Sequence, residues 1–101
     1  ESVIPDQFEL SQNYPNPFNP STTIRFAIPV DANVKLSVYN LLGEEVTTLL
    51  NKDISSGYHS VEWNTLENGK QISSGIYFYS IKAVSASGNR FLSTRKMILL
   101  K

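Results

Sequence analysis

Apolar and polar side chains alternate through most of the chain from residue 22 onward. In TTIRFAIP, Ile24, Phe26 and Ile28 fall on one face, and Thr23, Arg25 and Ala27 on the other. In NVKLSVYN, Val34, Leu36 and Val38 oppose Lys35, Ser37 and Tyr39. A period of two belongs to a strand with one face buried. Further strands are predicted near Val46–Leu50, over Tyr58–Trp63, over Ile76–Ser85 and through RFLSTRKMILLK, with a short first strand at Phe8–Gln12. No stretch sustains a 3.6-residue period; LLGEEVTTLL comes nearest, but Gly43 and two threonines weaken it as a helix. About seven short strands with a turn signal every 8–12 residues predict an all-β fold, a single immunoglobulin-like sandwich of antiparallel strands.

The turns are written in the expected residues. PVDAN (Pro29–Asn33) supplies proline, aspartate and asparagine, and NLLGEE carries Gly43 at a bend. Asn68-Gly69 is a tight-turn signal, and Ser87-Gly88-Asn89 joins the last two strands as a hairpin. ISSG occurs twice, at Ile54–Gly57 and Ile72–Gly75, each time leading directly into a strand. The pair reads as one turn chemistry used twice, with glycine re-aiming the chain.

Ahead of the first long strand lies NYPNPFNPST (Asn13–Thr22), which holds three of the five prolines. Proline donates nothing to a sheet ladder and pushes its predecessor toward extended geometry. The segment is therefore expected to be a stiff, extended corner crossing the end of the sandwich, with Tyr14 and Phe18 plugging the core. Residues 1–7 (ESVIPDQ) are polar and aperiodic and are expected to be a flexible linker from an upstream passenger domain, with 8–101 forming the domain itself.

Composition bounds the chemistry. With 101 residues, one core is possible but a roomy internal active site is not. There is no cysteine, so no disulfide and no thiolate metal site. The apolar runs are far shorter than the roughly 20 residues that span a bilayer, so no membrane insertion is expected. The net charge of zero hides an asymmetry: residues 1–67 hold all nine acids, while Lys70, Lys82, Arg90, Arg95, Lys96 and Lys101 follow with none. Interleaving of strands from the two halves is expected to mix these charges on the surface, and a neutral domain is not a nucleic-acid binder.

The search for catalysis finds little. The single histidine, His59, alternates with Val61 and Trp63 on a strand face and reads as a packed side chain. No serine sits in a nucleophile elbow. Glu44 and Glu45 are adjacent, so on a strand they point to opposite faces and cannot act together. Asp6, Asp31, Asp53 and the Glu67-Asn68 loop make no ligand ladder for calcium. The domain is expected to be non-enzymatic and without a cofactor. Aromatics are more plentiful: Trp63, Tyr77 and Tyr79 offer planar rings for stacking on sugars, the alternative being that they build the core. A carbohydrate- or surface-binding accessory module, or a passive spacer, of a secreted hydrolase is thus a second reading.

The blocks YPNPFNPSTTIRFAIP, VKLSVYNLLGEEV, GYHSVEWN, ISSGIYFYSI and RKMILLK, in that order, resemble the type A C-terminal sorting domain of the type IX secretion system from about Phe8 to Lys101. Single pieces such as SGIYFY are shared with related immunoglobulin-like domains, including that of flagellar hook-capping proteins. The resemblance implies a C-terminal address on a larger exported protein, carried through the periplasm of a Gram-negative bacterium to the medium or the cell surface. It implies translocon and shuttle components as partners and removal by a sortase-like protease in or before Glu1–Gln7. Carried over residue by residue, the recognition-linked positions are Gly75, Ile76, Tyr77, Lys96, Met97, Leu99 and Lys101. A last strand with an open edge is expected to be read by strand addition, and the position of RKMILLK favours an address over a spacer.

Overall fold

A computed structural model describes residues 4–66 and 72–101. The Asn68-Gly69 turn and the Glu67-Asn68 loop lie outside the described residues. Seven strands are present among the described residues: β1 (Glu9–Leu10), β2 (Ser21–Ile28), β3 (Ala32–Tyr39), β4 (Glu45–Ile54), β5 (Gly57–Asn64), β6 (Gly75–Ser85) and β7 (Arg90–Leu99). They form two antiparallel sheets, β1-β2-β5 and β4-β3-β6-β7. This is an immunoglobulin-like sandwich in which β4 stays beside β3 in the larger sheet.

The alternation read from the sequence sets the core. Ile24, Phe26 and Ile28 of β2 face Val34, Leu36 and Val38 of β3 across the sandwich, all buried. On β6 the inward set is Tyr77, Tyr79, Ile81 and Ala83, and on β7 it includes Met97 and Leu99. The outward set on β6 is Ile76, Phe78, Ser80 and Lys82, as the strand's period of two requires. The first strand is only two residues long, shorter than the expected Phe8–Gln12, because pairing with β2 reaches only from Glu9↔Ala27 to Leu10↔Phe26.

Both ISSG tetrapeptides mark a change of sheet. Ile54–Gly57 carries the chain from β4 in the larger sheet to β5 in the smaller. Ile72–Gly75 delivers it back into β6. Gly57 has φ +140° and Gly75 φ +154°, a backbone region that side chains with a Cβ rarely adopt. The two glycines therefore do the re-aiming that the repeated sequence suggests.

The cations that follow Glu67 in the sequence do not disperse among the acids as expected. Because β6 and β7 are consecutive and paired along their length, Lys82, Arg90, Arg95 and Lys96 stay together on one hairpin at the edge of the larger sheet. Glu9 and Glu62 lie on the other sheet. Asp53 accepts a hydrogen bond from Asn33, and Glu45 approaches Lys35 at 4.0 Å.

Candidate functional site

The seven positions that the resemblance offers for recognition converge on one end of the larger sheet, where β6 begins opposite the last residues of β7 (Gly75↔Leu99, Ile76↔Ile98, Tyr77↔Met97). The structure separates them into two groups. Tyr77, Met97 and Leu99 are buried, whereas Ile76, Lys96 and Lys101 are exposed.

Tyr77 is fixed by chemistry at the sheet crossing. Its hydroxyl donates to the Ser73 carbonyl at 2.6 Å, the arrangement of a tyrosine corner. Its ring meets Trp63 edge-on at 5.9 Å, and Trp63 in turn contacts Phe18 at 5.7 Å. These rings close this end of the core. The N–H of Lys101 donates to Ser74 Oγ at 2.9 Å, so the same corner also anchors the chain beyond β7.

The first corner repeats the clasp. His59 Nε2 lies 2.7 Å from the Ser55 carbonyl, and its ring stacks on Phe26 at 5.4 Å. In both copies a ring two residues past the glycine binds the carbonyl of the first serine. The shared spacing, a ring two residues past the glycine (ISSGYH, ISSGIY), is the sequence signal of this clasp. His59 is thus a packed, hydrogen-bonded side chain, as expected.

The NYPNPFNPST segment does more than cross the end. The chain bends at Pro15–Pro17 and again at Asn19-Pro20 instead of running straight, and the three X-Pro bonds are cis. Phe18 is buried and plugs the core, but Tyr14 points to solvent, because its bridge to Thr23 puts it on the outer face of the smaller sheet. Asn13 is buried: its backbone N–H donates to the Tyr79 hydroxyl at 2.8 Å and its side-chain amide to Thr22 Oγ1 at 2.9 Å. The Tyr79 hydroxyl donates to the Ser11 carbonyl at 2.7 Å. Burial raises the Tyr79 pKa above its usual 10.0, opposed by the Asn13 bond and by the positive charge of Arg95.

Residues 8–18 also lie along the flank of β7. Phe8 stacks on Phe91 at 5.2 Å, Arg95 Nε donates to the Leu10 carbonyl at 2.6 Å, and Gln12 Nε2 donates to the Lys96 carbonyl at 2.8 Å. Ile98 N–H donates to Asn16 Oδ1. Phe18 N–H donates to the Ile98 carbonyl and Leu100 N–H to the Phe18 carbonyl, each at 3.0 Å. The expected open edge is therefore occupied between Lys96 and Leu100. The outward backbone groups there already have partners within the chain, and strand addition at that place would have to displace them.

The rings offered for sugar stacking, Trp63, Tyr77 and Tyr79, are all buried, and none presents a face to solvent. The exposed rings are Tyr14 and Tyr58. Among the described residues no three His, Asp or Glu side chains stand close enough to hold a metal, and Asp31 accepts the Ser56 N–H. Among the same residues no helix is long and apolar enough to cross a membrane.

Fold and surface together define an immunoglobulin-like sandwich whose leading segment seals one edge strand and whose β6–β7 hairpin carries a basic, partly apolar face. The chain belongs to the secretion system C-terminal sorting domain family, whose model matches residues 12–99. It is a non-catalytic module of the type IX secretion system that targets a passenger protein for secretion, which implies interaction with that machinery and a secreted or surface destination. The structure is similar to the crystal structure of dimeric latent PorU from Porphyromonas gingivalis (TM-score 0.74, 25% identity), covering 97% of this chain and 10% of that one. It also resembles in fold CopC from Methylosinus trichosporium OB3b (TM-score 0.58, 11% identity), covering 92% and 93% of the two chains. No curated protein matches the chain.

Proposed function

We propose that the export machinery reads this domain as a folded surface, with the recognition-linked residues divided between display and support. Ile76, Lys96 and Lys101 meet the translocon or its shuttle, while Gly75, Tyr77, Met97 and Leu99 hold the end of the sheet that displays them. The observation that carries this reading is the division by burial at a single end of the molecule. The segregated cations of β6 and β7 add long-range attraction to an acidic receptor, which raises encounter rates and fades with salt. In this reading an upstream passenger crosses the outer membrane, and a sortase-like protease then removes the domain in or before residues 1–7.

Fusing residues 1–101 to an inert reporter, in a host with this secretion system, tests the proposal. The reporter should reach the medium or the cell surface. A reporter that stays periplasmic while native cargo is exported refutes the sorting reading. Deleting Met97–Lys101 is a poor test, because it removes two core side chains and the bonds to Phe18. The better variant is Ile76→Ser with Lys96→Glu and Lys101→Glu, which spares every buried group and should reduce export at unchanged melting temperature.

A further inference from the structure

The β3–β4 turn presents two leucines with no partner. Leu41 is 67% exposed and Leu42 83%, among the largest exposures of any bulky apolar side chain described. An exposed leucine on a mobile loop needs no explanation, but this loop is pinned. Asn40 N–H donates to the Glu44 carbonyl at 2.9 Å and Gly43 N–H to the Asn40 carbonyl at 3.0 Å. Asn40 Oδ1 accepts from the N–H groups of Leu42 and Glu44, and Asn40 Nδ2 donates to Glu44 Oε1 at 2.8 Å. Five hydrogen bonds therefore hold two leucines out into water. None of the five uses a leucine side chain.

The register places this tip. Tyr39, the last residue of β3, lies opposite Phe78 near the start of β6. The turn therefore sits at the end of the larger sheet where β6 begins and β7 finishes. Two further exposed apolar side chains share that end, Ile76 (38%) and Leu100 (55%). Apolar groups gathered at one end whose backbone is already ordered mark an interaction surface, since binding there costs side-chain rotamer freedom and little backbone entropy.

We propose that this end, led by Leu41 and Leu42, docks end-on into an apolar recess on a protein of the export machinery. The inference rests on the sorting reading and adds the mode of contact: loop-end insertion, where the sealed flank of β7 leaves no room for strand addition between Lys96 and Leu100. Charge chooses the occupant. Glu44 and Glu45 flank the leucines on the β3–β4 side of this end, and Lys96 and Lys101 stand on its β7 side. An anionic bilayer would repel the first pair, whereas a protein recess can carry a cationic rim for the glutamates and acidic groups for the lysines. A shaped recess also suits a tip held in one geometry.

The test compares the reporter fusion with its Leu41→Ser/Leu42→Ser variant. Because the loop's bonds are to backbone and Asn40, the variant should melt with the parent. Extracellular reporter should fall at least about tenfold, the effect of losing one well-packed apolar anchor. Leu41→Met/Leu42→Met should restore it, which a fold defect in the serine variant would also have to explain through a lowered melting temperature. Export of the parent with equal export of the serine variant overturns the inference and leaves the sorting reading standing. Failure of the parent fusion overturns both. Binding of the parent to phosphatidylethanolamine/phosphatidylglycerol vesicles that is lost in the serine variant would overturn the protein occupant.

Discussion

The two ISSG corners use the same four residues and the same clasp, yet they sit in different surroundings. At Ile54–Gly57 the clasping ring is His59, half-buried and stacked on Phe26. At Ile72–Gly75 it is Tyr77, buried between Trp63 and the end of β7. The first corner redirects the chain between sheets. The second does this and also anchors residue 101 through Ser74, beneath an end sealed by Phe18. A shared local motif thus sets a backbone path, and what it is worth depends on how much core is stacked upon it. A hydrogen bond left unmade in a dry site costs the full desolvation of its partner, whereas near water the solvent replaces it.

The contrast is broken most severely at Phe18. Phe18→Ala removes the plug over the second corner and should cost about 3–5 kcal/mol, as large aromatic truncations in cores do. Urea unfolding should show a lower midpoint at similar slope, and a loss under 1 kcal/mol would mean that this end is not part of the core. Next comes the pair of clasps. Tyr77→Phe should cost about 1 kcal/mol, because a buried tyrosine ring loses the part-buried bond of its hydroxyl to the Ser73 carbonyl. His59→Phe, which keeps a ring against Phe26 and removes only the bond to the Ser55 carbonyl, should cost about half as much or less, since that bond is exposed to water. Thermal melting of both variants checks the order, and equal losses would show that the surroundings do not distinguish the corners.

The smallest effect concerns pH. Burial raises the Tyr79 pKa above its unfolded value, so the native state holds that proton more tightly than the unfolded chain. The corresponding stability is fully present below about pH 10 and is lost as pH rises through the native pKa. Melting temperature should therefore fall above pH 10 more steeply in the parent than in Tyr79→Phe, which lacks the titrating group. A parallel decline would remove Tyr79 as the cause.

Much of the architecture is legible in the chain because a strand's period of two leaves little choice of buried face. Ile24, Phe26, Ile28 and Val34, Leu36, Val38 could only point together toward one core. Glycine at the two ISSG turns is legible for a similar reason, since few other residues take a positive φ. The aromatic strand GIYFYS was harder. Tyr77 and Tyr79 share a face, but alternation alone does not say whether that face is a sugar platform or a core. The sealing of β7 was harder still, because it depends on Gln12, Asn16 and Phe18 meeting residues 80 or more positions away.

What the sequence determined by itself was the number and faces of the long strands, the sites of the turns and membership of a sorting-domain family. Each of these depends on local periodicity, on local backbone preference or on the order of short blocks. Tertiary structure decided which strands beyond the last hairpin became neighbours, and so set that hairpin with its cations at the edge of the larger sheet, away from Glu9 and Glu62. It also decided which rings were buried, which edge was sealed and which end of the sandwich was left carrying exposed leucines. Those outcomes belong to contacts between distant residues, and periodicity within a single strand carries no information about them.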